Sequence, residues 1–221
     1  EYIIDIAKKI IKDFPKEKFE NFKKNYDLLS KKSLEYSMDL IKSDLNKLGI
    51  KHDIFFSEKS LFKKDLVNKS IKQLKSDKFV DEGILPPPRG EETKEWKKVK
   101  RLVFKSTLFG DDIDRALQKN DGTWTYFAND LAYHADKISR KYSNLINVLG
   151  ADHTGYIKRI SAAVQALSKN KVKLDCKVCQ LVKLFKKGQP YKMSKRAGEF
   201  ITVGDLLREV NKDSIRFMML N

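Results

Sequence analysis

Leu145-Ile-Asn-Val-Leu-Gly-Ala-Asp-His-Thr-Gly-Tyr156 is a short apolar run that stops at a glycine and passes into a helical pattern. A run of that length, closed by Gly150, suits a buried strand of a parallel sheet. From Thr154 to Leu167, Ile157, Ile160, Val164 and Leu167 recur at helical spacing. Upstream, Leu131, Ala135, Ile138 and Tyr142 form another helical stripe over 130–142. Downstream, the alternating segment from Leu174 to Leu184 predicts a second strand. Thr202-Val-Gly-Asp205 then resembles a capping box opening a helix that runs through Val210. Helix, strand, helix, strand, loop and helix predict an α/β fold: a parallel sheet with flanking helices and right-handed crossovers.

The first half has a different character. Residues 1–48 read as helical. Leu34, Met38, Ile41, Leu45 and Leu48 make the clearest stripe, and Ile3, Ile6, Ile10 and Ile11 a weaker one ending before Pro15. Ile50, His52, Ile54 and Phe56 alternate with Lys51, Asp53 and Phe55, which suits a short strand. A lysine-laced helix follows, with Val67, Ile71 and Leu74 on its buried side. Phe79-Val80 and Leu102-Val-Phe104 bracket a Gly- and Pro-rich stretch and a charged run, so 79–104 reads as a hairpin-like excursion. Its Trp96 is placed either to stack on a base or to cover the excursion's small core.

The chain has 221 residues, 41% of them hydrophobic, enough for one sizeable core or a core with an insertion. No apolar run approaches the roughly 18–20 residues that span a bilayer, and the acidic start is no signal peptide. The first residue is not Met, so the chain is expected to be cut from something longer. A formal charge of +16 favours a polyanionic partner, nucleic acid first, although a lysine-rich genome explains part of the excess. Cys176 and Cys179 are the two cysteines, three apart in a predicted strand and so on opposite faces. Buried strand cysteines in a reduced, cytosolic protein are expected, with no metal site.

Three stretches carry chemistry. Gly188-Gln-Pro-Tyr-Lys-Met-Ser-Lys-Arg-Ala-Gly198 packs two ammonium groups and a hydroxyl into four residues between glycines, which suits a polyphosphate; a solvated lysine-rich loop is the plain alternative. Gly150 to Tyr156 lies at the carboxyl end of a predicted strand, where ligands sit in open α/β sheets. There Gly150 permits close backbone approach and Asp152 can accept from ribose hydroxyls, unless Asp152 or Thr154 is only a cap. Tyr126 and Asp130 fall four apart at the start of a helix. A carboxylate beside a phenol is a receptor for a guanidinium, and a cap beside a packing residue is the alternative. His134 is read as a polar core or surface histidine before a proton shuttle.

Phe109-Gly-Asp-Asp-Ile-Asp-Arg115, Asp121-Gly-Thr-Trp-Thr-Tyr-Phe-Ala-Asn-Asp-Leu-Ala-Tyr-His134, Gly150 to Tyr156, Lys192-Met-Ser-Lys-Arg-Ala-Gly198 and Asp213-Ser-Ile-Arg-Phe217 occur in that order. Together they resemble the bacterial arginyl-tRNA synthetases, class I aminoacyl-tRNA synthetases, over essentially the whole chain. The resemblance implies a Rossmann-like nucleotide-binding fold, of which this chain is the second half plus the connecting insertion. Residues 1–105 would be the connecting region and 106–221 the catalytic half. Lys192, Ser194 and Lys195 would grip the ATP phosphates, with Met193 in the same loop. Gly150 and Asp152 would contact the ribose, His153 the junction of amino acid and ATP, and Tyr126 and Asp130 the arginine guanidinium. The implied substrates are L-arginine, Mg-ATP and tRNA(Arg), in a cytoplasmic, monomeric enzyme without a structural metal.

The resemblance has one gap. A His-x-Gly-His signature belongs to the first half of such a fold, and His52, His134 and His153 do not form it. The chain is therefore read as an internal segment, without that half and without an anticodon-binding domain, that does not activate arginine alone. A class I synthetase for another amino acid and a non-catalytic RNA-binding relative are the competing readings.

Overall fold

In the computed structural model, residues 2–86, 99–180, 182–186, 188–190 and 201–220 are described. Trp96, Lys192, Met193, Ser194 and Lys195 lie outside them. In chain order the elements are α1 (Tyr2–Asp13), α2 (Phe22–Lys47), α3 (Lys59–Lys63), α4 (Leu66–Ser76), β1 (Val80–Gly83), β2 (Arg101–Phe104), β3 (Arg115–Ala116), α5 (Tyr126–Ser139), β4 (Asn144–Gly150), α6 (Ile157–Ser168) and β5 (Lys173–Cys179). A two-residue pair, β6 (Phe185–Lys186) and β7 (Gln189–Pro190), precedes α7 (Val203–Glu209) and α8 (Lys212–Leu220). Among the described residues no helix is long and apolar enough to cross a membrane.

The chain divides into two compact units, Glu1–Phe55 with Leu184–Asn221, and Phe56–Lys183. The sequence reading drew its boundary elsewhere, at 105/106. In the first unit α1 packs on α2 through Ile6, Ile10 and Tyr36, with Phe14, Phe19 and Leu29 around them. The Tyr36 hydroxyl donates to Asp13 Oδ2 at 2.6 Å, which ties the end of α1 to α2. The predicted capping box is present: the Thr202 hydroxyl accepts from Asp205 N, and the Asp205 side chain accepts from Thr202 N.

In the second unit the core is built from Leu61, α4, Phe104, α5 and α6. Val67, Ile71 and Leu74 face it from α4, as their spacing predicted. The excursion begins and ends as expected, β1 pairing antiparallel with β2 from Val80↔Phe104 to Gly83↔Arg101. Its middle lies outside the described residues. β4 and β5 run parallel, in register from Asn144↔Lys173 to Gly150↔Cys179, with α6 as the crossover. Gly150 therefore stands at the carboxyl edge of a parallel pair. Ile160, Val164 and Leu167 are buried on α6, the predicted stripe.

Four local expectations are corrected. Ile50–Phe56 forms no strand, because alternation without a neighbouring ladder leaves backbone groups unpaired; Phe56 instead stacks on Tyr133, ring centroids 4.4 Å apart. β4 is covered on one side only: Leu145 is buried while Ile146 and Val148 are 64% and 69% exposed. Leu34 and Ile41, on the clearest stripe of α2, are exposed, and Tyr36 is the residue α2 buries against α1. The cysteines are not a buried pair, since Cys176 is half-buried against the core and Cys179 is exposed at the strand end.

Candidate functional site

The site grows from α5. Thr125 caps this helix, its hydroxyl oxygen accepting from Ala128 N at 3.3 Å. The helix starts at Tyr126, and Asp130 stands just past its first turn. The capping role weighed for Asp130 belongs to Thr125. One face of α5 buries Phe127, Ala128, Leu131 and Ala132 and turns Asp130 and His134 towards β4. Tyr126, four positions before Asp130, is 83% exposed.

His134 is buried at 4% exposure. Its Nδ1 lies 2.8 Å from the Asp130 carbonyl, and its Nε2 lies 3.0 Å from Asn147 Nδ2 on β4. Lys137 Nζ donates to Asn147 Oδ1 at 2.9 Å. A lysine can only donate, so Asn147 must turn its oxygen to Lys137 and its amide nitrogen to the imidazole. His134 then accepts at Nε2 and carries its proton on Nδ1, which donates to the Asp130 carbonyl. Burial pushes the imidazole below its usual pKa, and the neighbouring Lys137 charge pushes the same way. His134 is thus a neutral structural link between α5 and β4.

Asp130 has a second partner. The Tyr156 hydroxyl donates to Asp130 Oδ2 at 2.5 Å from the end of the turn that follows β4. The Tyr156 ring meets Phe127 edge-on, centroids 6.4 Å apart, and the Arg159 guanidinium carbon lies 4.9 Å from its centroid. Burial, then the Asp130 hydrogen bond and charge, push the phenol well above its usual pKa, so it remains a donor.

At the edge of the pair, a Cβ on Gly150 would come within 2.5 Å of Asp152 Oδ1. Only a glycine lets that carboxylate fold back over the strand end. Asp152 and His153 are both exposed, with His153 Nε2 3.5 Å from Asp152 Oδ2. A cavity of about 420 Å³ opens between α5, β4 and this turn, with Asp130, His134, Asn147, His153 and Tyr156 on its walls. Asp130 and His153 therefore meet in one cavity. Tyr126, Gly150 and Asp152 are not among its walls, although Gly150 and Asp152 belong to the turn that carries His153.

Sequence reasoning missed Tyr156, Asn147 and Lys137. Asn147 had a signal: an amide inside an apolar run needs partners once buried. Behind the turn, Asp111 takes a bidentate hydrogen bond from Arg115, at 2.7 Å on each oxygen. Burial alone would raise the Asp111 carboxyl, but Arg115, the Asp112 N–H and the Ser106 hydroxyl outweigh it and hold the group below its usual range. Among the described residues no group of three or more His, Cys, Asp or Glu side chains is placed to hold a metal ion.

Comparison with known proteins places the chain in a family. A family model described as tRNA synthetases class I (R), catalytic domain, matches residues 6–221. The arginine–tRNA ligase of Pelagibacter ubique is 54% identical over 224 residues, spanning 100% of this chain and 38% of the relative. That of Rickettsia typhi is 48% identical over 221 residues, with the same coverage of 100% and 38%. A crystal structure of a Campylobacter jejuni chain assigned as an arginyl-tRNA synthetase superposes with a TM-score of 0.79 at 35% identity, covering 100% of this chain and 44% of that one. The chain thus spans little more than a third of the length of these curated relatives.

Proposed function

Because the chain belongs to the family of class I tRNA synthetases (R), catalytic domain, we propose that it is the part of an arginine–tRNA ligase that binds arginine and closes on ATP. The arginine carboxylate attacks the α-phosphate of Mg-ATP, pyrophosphate leaves, and arginyl-adenylate forms. The terminal adenosine of tRNA(Arg) then takes the arginyl group and AMP leaves. Mg²⁺ enters as the counter-ion of the triphosphate, as part of the substrate. The enzyme works in the cytoplasm as a monomer.

Asp130 receives the guanidinium, since a carboxylate accepts two parallel N–H donors, and Tyr126 closes over it from the start of α5. Gly150 and Asp152 hold the ribose at the carboxyl edge of the parallel pair, with His153 between the two substrates. Lys192, Met193, Ser194 and Lys195 form the loop on the phosphates. These groups position substrates and neutralise charge, so the step needs no nucleophilic side chain.

One observation carries the reading: a carboxylate on α5 and the histidine of the strand-end turn share the walls of one cavity. The test is amino-acid-dependent ATP–pyrophosphate exchange by the complete chain that contains residues 1–221, across all twenty amino acids. Exchange with arginine alone, with tRNA supplied, is expected. Exchange driven by a different amino acid, or by none, rejects the reading.

A further inference from the structure

We propose that Tyr156 is the positioning residue that fixes the plane of the Asp130 carboxylate, and that it thereby gives the pocket its preference for a guanidinium over an ammonium. The inference rests on the reading that Asp130 receives the substrate side chain.

A carboxylate on a helix is free to rotate about its Cβ–Cγ bond unless something holds an oxygen. Tyr156 holds one, donating to Oδ2 at 2.5 Å from a residue 26 positions away. The donor is itself fixed, with Phe127 against its edge and Arg159 over its face. The phenol sits on the strand-end turn and the carboxylate on α5, so the bond sets one against the other. Each carboxylate oxygen has two acceptor sites, so Oδ2 keeps one and Oδ1 keeps both, and the two oxygens together can still take a fork of donors. A guanidinium presents a rigid planar fork and binds best to a carboxylate whose plane is already set. An ammonium is a compact point charge with rotating donors and gains little from that plane.

The test uses the complete chain that contains residues 1–221, assayed by pyrophosphate exchange. Tyr156→Phe keeps the ring, its contact with Phe127 and its contact with Arg159, and removes only the donor. The KM for arginine should rise about 10-fold, the order expected for one hydrogen bond to a charged group. The KM for ATP, kcat, and the inhibition constant of lysine should each change by less than about 2-fold. In an Asp130→Asn background the same substitution should have no further effect on arginine. An unchanged arginine KM in Tyr156→Phe, or a rise shared by arginine, lysine and ATP, overturns the inference, the second outcome being the mark of a merely structural tyrosine. If Asp130→Asn itself leaves arginine untouched, the pocket reading fails and this inference with it. If Asp130→Asn acts and Tyr156→Phe does not, this inference alone fails.

Discussion

Asn147 reaches from β4 to His134 on α5, its amide nitrogen 3.0 Å from the imidazole Nε2. The contact locks the strand that carries the Gly150 turn to the helix that carries Asp130. It also fixes the histidine tautomer, because Lys137 occupies the amide oxygen. Protonating Nε2 would set two donors against each other.

His134 should therefore resist protonation more than a free imidazole does. Its folded-state pKa is depressed, so its contribution to stability is intact above the unfolded value of about 6.5 and is lost as pH falls below it. Nitrogen-detected NMR titration of the histidines should show neutral His134 with Nδ1 protonated and Nε2 bare, protonating at lower pH than a free imidazole. The opposite tautomer, or protonation at higher pH than a free imidazole, contradicts the network.

Thr125 supplies the cap that the first turn of α5 needs. Thr125→Ala should cost about 1 kcal/mol and lower the thermal midpoint of the complete chain, while Thr125→Ser should leave it nearly unchanged. Equal effects of the two would show that the hydroxyl oxygen is not what matters.

Asp111 and Arg115 form a pair with almost no water around the carboxylate. Its side chain is 0% exposed and that of Arg115 17%. Asp111→Ala should destabilise by about 3 kcal/mol in urea unfolding, because it strands a guanidinium. Asp111→Ala with Arg115→Met should recover part of that loss. No recovery would place the cost in packing instead of charge.

Gly150→Ala puts a methyl group into space that Asp152 Oδ1 now fills. The carboxylate must swing away from the strand end, so the KM for ATP should rise by about 10-fold or more, the scale of one lost hydrogen bond to a charged group, while the KM for arginine changes little. Equal rises in both would mean that the turn, and not the ribose contact, was lost.

Much of the fold was legible because it rests on local rules. The α6 stripe and the Thr202–Asp205 capping box follow from spacing within a dozen residues, and the parallel β4–β5 pair, Asn144↔Lys173 to Gly150↔Cys179, follows from the strand–helix–strand order. The failures have a common cause. Whether Ile50–Phe56 becomes a strand depends on a partner ladder, and whether Ile146 and Val148 are covered depends on a neighbouring layer; neither is encoded in the segment itself. The same holds at the site. The i, i+4 relation of Tyr126 and Asp130 could be read directly, yet Asp130's partner is Tyr156, 26 residues on, a distance set by the crossover geometry and by no local period. The resemblance to arginyl-tRNA synthetases singled out whole stretches, and the packing of the second unit joins two of them through Tyr156 and Asp130.

The central claim is that the Asp130 carboxylate receives a guanidinium. Citrulline tests it most directly, being nearly the same shape as arginine with a neutral ureido group. In pyrophosphate exchange by the complete chain, Asp130→Asn should reduce the preference for arginine over citrulline by about 100-fold or more, the scale of a severed buried charge pair. The KM for ATP should be nearly unaffected. An arginine-to-citrulline preference that survives Asp130→Asn intact would contradict the account.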